Sequence, residues 1–272
     1  MTALAAAPRR ATHPNTPRLS FAHLLKSEAI KILTLRSTWW SLGVTAALSV
    51  GISLLIALAT SGMGGGMEPT NVILAPTQFT MLVAGILGAI VVTGEYSTGM
   101  IRSTLTAEPR RGAVLLAKAL VVAVTMMVTT VIIYAVAIAA TAPLLGGTGI
   151  DWATPADSIV PLALGMLSMA CFTLMGVGFG FVLRSGAGAI AVTVGVLFVG
   201  VLFVLPIMLS LFSIAGPDWM WVVEAGKYLP VSAAGSLTRA GATDLVEPAL
   251  TMAGWVIGPL LLGWIALRWR DA

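Results

Sequence analysis

Two short stretches hold most of the residues in this chain that could do chemistry. The first, GEYSTGMIRSTLTAEPRRG from Gly94 to Gly112, gathers Glu95, Tyr96, Arg102, Glu108, Arg110 and Arg111 between two long apolar runs. The second, LSFAHLLKSEAIKILTLRS from Leu19 to Ser37, sets Glu28 among apolar residues. Neither stretch has the residue set of a metal centre or a hydrolase. The two histidines, His13 and His23, lie near the N-terminus, and the single cysteine, Cys171, sits inside an apolar run, so no disulfide framework or thiolate site can form within one chain. HExxH and GxSxG are absent, and no phosphate loop occurs, because Gly226 and Lys227 are followed by Tyr228. The chain is therefore expected to catalyse nothing itself. What remains for Tyr96, Arg102, Glu108, Arg110 and Arg111 is recognition: exposed polar groups suited to docking a soluble partner.

The elements that must position these residues follow from composition. With 58% hydrophobic and 10% charged residues and a mean hydropathy of +0.98, too little polar surface exists to cover a water-soluble globule. The chain reads as an all-α integral membrane protein. Six runs are long enough to cross a hydrocarbon layer, which takes about 20 helical residues: Trp39 to Thr60, Thr77 to Thr93, Val114 to Thr141, Ile159 to Leu183, Ala187 to Ile214 and Ala249 to Trp269. Pro206 should kink or divide the fifth. No secretory or twin-arginine signal precedes them. With both termini cytoplasmic, only Lys227 and Arg239 among the 15 basic residues fall outside, which satisfies the rule that Lys and Arg stay inside. Residues 1–17 read as a disordered cytoplasmic tail, 18–37 as an amphipathic helix and 38–272 as the six-helix domain.

The charge pattern excludes further classes. A net charge of +4 spread over cytoplasmic span ends is what topology demands, so nucleic acid is not indicated. Carriers driven by ions place titratable groups at membrane depth. Here the six cores hold no Asp, Glu, His or Arg, and Lys118 is expected to snorkel to an inner end. Ion coupling is disfavoured on that reading.

Locally, Ser97 or Thr98 is expected to cap a short surface helix running toward Thr106. Pro109 should stop it, and Gly112 should let the chain turn into the third span. On a helical wheel of Leu19–Ser37, Phe21, Leu25, Ile32 and Leu35 cluster opposite His23, Lys26 and Lys31. Glu28 falls in the apolar sector, where a bare carboxylate is costly. Its expected partner is Lys31 or an arginine of the Gly94–Gly112 stretch. Gly176 and Gly180 form a GxxxG suited to a tight helix contact, including a dimer face.

The motifs SEAIKILTLRSTWW, entering the first span, and GEYSTGMIRSTLTAEPRRG, leaving the second, resemble those of ABC-2 type ABC transporter permease subunits, notably actinobacterial ones. The six-span layout and KYLPVSAAG, Lys227 to Gly235, extend the resemblance from Leu19 onward. It implies that Glu28, Lys31 and Arg36 belong to a connecting helix. It also implies that Glu95, Tyr96, Gly99, Arg102, Glu108, Pro109, Arg110 and Arg111 belong to a coupling segment seated in an ATPase subunit, and that Arg184 marks a short second cytoplasmic loop. Gly216–Glu247, broken by Pro217, Pro230 and Gly235, would be a re-entrant external segment before the sixth span. The implied assembly is two permease halves, identical or homologous, with two separate ATPase copies carrying ATP and Mg, in a bacterial plasma membrane. Its implied activity is export of a hydrophobic or amphipathic substrate by alternating access. An ion-coupled or facilitative carrier, and a non-transporting scaffold or immunity protein, stay open as alternatives.

Overall fold

The computed structural model describes residues 20–61, 67–145, 149–198 and 220–269, together with Pro206, Ile207, Ser210 and Ser213. The tail (1–17), Arg9, Arg10, Arg18, Pro217 and Arg270 lie outside the described residues. Every regular element among those described is helical.

Helix α1 (Phe21–Thr34) starts at Ser20, whose hydroxyl accepts from the Ala22 N–H, and stops where Leu35 turns extended. One residue later α2 (Arg36–Ser61) begins. The elbow is pinned by the Trp39 indole, which donates to the Leu33 carbonyl at 2.8 Å. A short α3 (Pro69–Leu74) leads across Pro76 into α4 (Thr77–Ser97), followed by α5 (Met100–Ala107) and α6 (Arg111–Thr141). Then come α7 (Ile159–Leu183), α8 (Gly186–Val194), the short α9 (Met220–Gly226) and α10 (Pro230–Leu237), and α11 (Val246–Trp269).

Five stretches are long and apolar enough to cross a membrane: Arg36–Ser61, Pro69–Ser97, Arg111–Thr141, Ile159–Leu183 and Val246–Trp269. This is a multi-pass membrane protein. Of the expected fifth span, Ala187–Ile214, the described part is an apolar helix that runs from Gly186 to Phe198 and widens into a π turn at its end. Between residues 220 and 247 the chain forms α9 and α10. Pro230 opens α10, where a missing N–H costs nothing, but Gly235 lies inside that helix instead of breaking it.

At the centre stands α7, held between α4 and α11. Gly176 and Gly180 face α4, and a Cβ added at Gly176 would land on the Gly85 carbonyl oxygen. Reciprocally, one at Gly88 would land on the Thr173 carbonyl oxygen. Gly178 faces the other way, where a Cβ would come within 2.5 Å of Pro259 in α11. The GxxxG face is therefore consumed inside the chain and is not available as a dimer face. Four buried threonines of α4, α6, α7 and α8 satisfy their hydroxyls within their own helices: Thr93, Thr130, Thr173 and Thr193 each donate to the carbonyl four residues earlier at 2.7–2.9 Å.

Adding a methyl at Gly176 must push two backbones apart, whereas Gly254 has nothing within 4 Å of a built Cβ. Gly176→Ala is expected to cost about 1–3 kcal/mol or more, and Gly254→Ala to be neutral or stabilising. Melting curves of both variants in one detergent test the contrast.

Candidate functional site

The two stretches singled out by composition come together where α4 ends and α6 begins. Three reversals of the chain make this end of the bundle. At the first, Gly99 takes a left-handed backbone, φ +70°, with open space around a built Cβ, so its requirement is conformational. The Ser97 and Thr98 hydroxyls turn back to the Gly94 carbonyl at 3.0 and 2.8 Å. They close α4 and do not cap α5, whose N-cap is Gly99. At the second, Glu108 is extended ahead of Pro109, ending α5 at Ala107. Its carboxylate accepts from the Arg110 N–H at 3.2 Å. The turn is complete by Arg111, so Gly112 already lies in α6, where a Cβ would press on the Trp264 indole at 3.2 Å. At the third, Arg184 closes α7 in a left-handed conformation, φ 54°.

Behind α5 lies a ring of four alternating charges. Glu28 Oε1 accepts from Lys31 Nζ at 2.6 Å and its Oε2 from Lys118 Nζ at 2.6 Å. Glu95 Oε1 accepts from both lysines, each at 2.8 Å. Lys31 also reaches the Thr104 hydroxyl of α5 at 3.4 Å. The ring thus joins α1, α4 and α6 and touches α5. Side-chain exposure is 1% for Glu28 and Lys118, 7% for Glu95 and 22% for Lys31. Within the ring the charges cancel. Glu95 Oε2 is buried without a hydrogen-bond partner among the described residues.

At an effective dielectric near 20, each contact contributes about 6 kcal/mol of attraction. Desolvation costs several kcal/mol per ion, so four contacts and four desolvations are of similar size. The complete ring is close to neutral in free energy. An incomplete one is not, because an unmatched charge is left in the core.

Glu28 does pair with Lys31, as the wheel suggested, but its second partner is Lys118 and not an arginine. Lys118 does not snorkel. It lies seven residues beyond Arg111, about 10 Å along α6, and its ammonium is enclosed. The signal that could have found it was stoichiometric: two carboxylates at this level need two cations. Glu95 is inside the bundle as part of the ring. Glu108, expected at the surface, is 7% exposed. Tyr96, also expected at the surface, is half-buried, edge-on to Phe181 at 6.5 Å with the Arg184 guanidinium 5.3 Å from its ring centre. Arg184 Nη2 donates to the Ala266 carbonyl at 2.9 Å, and Arg111 Nη1 to the Leu267 carbonyl at 2.6 Å. Two guanidinium groups therefore sit on the C-terminal carbonyls of α11, where positive charge is favoured. Arg102 and Arg110 are exposed, as is Arg36 at the start of α2. A cleft of about 350 Å³ lies between α1 and α5, walled by His23, Ser27, Ser103 and Glu108. A second cavity of about 460 Å³ opens beside the ring at the α1–α2 elbow.

Two expectations follow. Lys118→Met leaves two carboxylates sharing Lys31 and is expected to cost about 3–5 kcal/mol. Adding Glu28→Gln, which leaves the neutral Lys31–Glu95 pair, should restore most of it, and a double-mutant cycle on detergent melts checks this. Burial alone would lower the Lys31 pKa, but hydrogen bonds and charge from Glu28 and Glu95 outweigh it and hold the group above its ordinary 10.5. Its contribution to stability is then complete below about pH 10.5 and disappears as pH rises through the folded value. Lys31→Met should flatten the fall of melting temperature above about pH 10.5, measured against the parent chain.

No curated protein matches the chain. The family model described as ABC-2 family transporter protein matches residues 70–219, from α3 to the residue before α9, which is more than half of the sequence. On that match the chain belongs to the ABC-2 family of transporter proteins.

Proposed function

We propose that the chain is the permease half of an ATP-driven exporter. In this reading it has six spans, the fifth continuing beyond Phe198, and both termini and α5 face the cytoplasm of a bacterial cell. Helix α5 is the coupling helix. It seats on a separate ATPase subunit, one for each of two permease halves, which binds and hydrolyses Mg-ATP. Helix α1 is the connecting helix, and α9 and α10 form a re-entrant element in the outer leaflet.

The observation that carries this reading is the ring behind α5. A coupling element must hand a push to the spans without slack. Residues Gly99 to Arg110 are joined covalently to α4 and α6, and those two helices are joined to each other and to α1 through Glu95, Lys118, Glu28 and Lys31. Displacing α5 therefore moves three helices together. Arg102 on the exposed face of α5 and Arg110 just beyond that helix supply the contact surface. Apolar helix surfaces suit a hydrophobic or amphipathic cargo carried by alternating access.

Among the coupling residues the roles divide. Arg102 and Arg110 contact the partner; Glu95, Tyr96 and Arg111, with Arg184 of the second cytoplasmic loop, position the segment; Gly99, Glu108 and Pro109 shape its turns. A second reading, an ion-coupled carrier, draws on the same ring, since Glu95 and Lys118 are ionisable groups within the bundle. Substrate flux in vesicles that persists when ionophores collapse all ion gradients, but stops without ATP, excludes it.

The leading reading is tested by purifying the chain with its ATPase. A Walker-motif ATPase should co-purify in near-equal amounts. Arg102→Ala, at an exposed position, is expected to weaken that association about tenfold, the effect of an interface arginine costing about 1.4 kcal/mol, with membrane insertion and melting temperature unchanged. Unaltered association and ATP turnover would refute the assignment.

A further inference from the structure

At the opposite end of the bundle, a cleft of about 240 Å³ opens between the α3–α4 junction and α10. Its floor is apolar: Leu74, Met81 and Val231 are 6%, 3% and 4% exposed. Its rim carries the Asn71 and Gln78 amides and the Arg239 guanidinium. We infer that this cleft binds the anionic head of an amphipathic molecule, with Arg239 as the counter-charge, the two amides as donors and the apolar floor under the start of the tail.

The charge accounting at this end supports an anion. Two basic residues lie here, and Lys227 is matched by Glu224 at 2.6 Å. Arg239 makes no ion pair among the described residues. No carboxylate lines the cleft. Of the acids at this end, Glu68 Oε2 accepts from the Asn71 amide at 3.5 Å, leaving that amide one N–H for the cleft, and Asp157 Oδ1 lies beside Gly241. A guanidinium with its five donors in a planar fork suits a phosphate, sulfate or carboxylate oxygen pair. The position is firm, because α10 packs on α7 and α11, and the Trp255 indole donates to the Tyr228 carbonyl just ahead of it at 2.9 Å. A small inorganic anion would leave the apolar floor uncovered; a head with an alkyl tail covers it. That the cleft faces the cell exterior rests on the topology proposed above, whereas binding in detergent does not depend on it.

The same head chemistry could belong to a resident membrane lipid or to a free amphipathic ligand. The full chain in neutral detergent is titrated with dodecyl phosphate and with inorganic phosphate, and bound molecules are counted by native mass spectrometry. In parallel it is extracted from vesicles of phosphatidylcholine and phosphatidylglycerol. Dodecyl phosphate is expected to bind the parent chain and to bind Arg239→Gln at least tenfold more weakly, with an unchanged melting temperature for this exposed position. Gln78→Leu, which keeps the guanidinium, should weaken it by a smaller factor. Phosphatidylglycerol retained by the parent and lost from Arg239→Gln identifies a resident lipid; retention of added dodecyl phosphate alone identifies a free ligand. Equal binding by parent and Arg239→Gln, or inorganic phosphate held as tightly as dodecyl phosphate, overturns the inference.

Discussion

A charge taken out of water must find its opposite within the reach of its own side chain, and in this protein four charges solve that problem jointly. Glu28 spends one oxygen on Lys31 and the other on Lys118, and Glu95 bridges the same two lysines. Because attraction and desolvation are of similar size, the ring adds little net stability when whole. Its force lies in the cost of being incomplete: α1, α4 and α6 cannot separate by even a few ångströms without leaving an unmatched charge in the core. The placement of α5 follows, since it is strung between the ends of α4 and α6 and touches Lys31 through Thr104.

Away from the ring, different physics holds the helices. Along the middle of the bundle there is no gain from hiding apolar surface, because the surroundings are equally apolar, and contact depends on how closely backbones approach. The glycines of α4 and α7 provide that approach, and Gly178 extends it to Pro259 of α11. Near α5 the arginines take over again. Arg111 and Arg184 hold the last carbonyls of α11, so this long helix, which the ring does not tie, is fastened to the same end by two guanidinium groups. Helices α4, α6 and α11 are thus fastened at the end that carries α5.

Much of this was readable in the chain. Glu28 declared itself because a carboxylate at an apolar wheel position needs a partner, and Lys31 was within one turn. The short helix after the second span was marked by its polar density and by Pro109. The remainder was not readable for definite reasons. Lys118 looked like a residue that could extend to the interface, since sequence distance from Arg111 says nothing about which neighbours enclose it. Ser97 and Thr98 have the chemistry of caps, but Gly99 was better suited to the left-handed reversal, and their hydroxyls closed the preceding helix instead. The GxxxG marked a close contact correctly in kind, though its partner turned out to be α4 of the same chain.

Composition and periodicity sufficed for a helical multi-pass membrane protein with a basic amphipathic helix ahead of its first span and a polar helix after its second, because hydrocarbon imposes length, apolarity and internal hydrogen bonding on every crossing segment. Pairing lay beyond them. Which carboxylate meets which lysine, which glycine meets which backbone, and which guanidinium covers which carbonyl depend on contacts between residues as far apart in sequence as Glu28 and Lys118 or Arg111 and Leu267. Those contacts exist only once the helices have packed, since hydrophobic patterning constrains the face a residue occupies but not the neighbour it finds there.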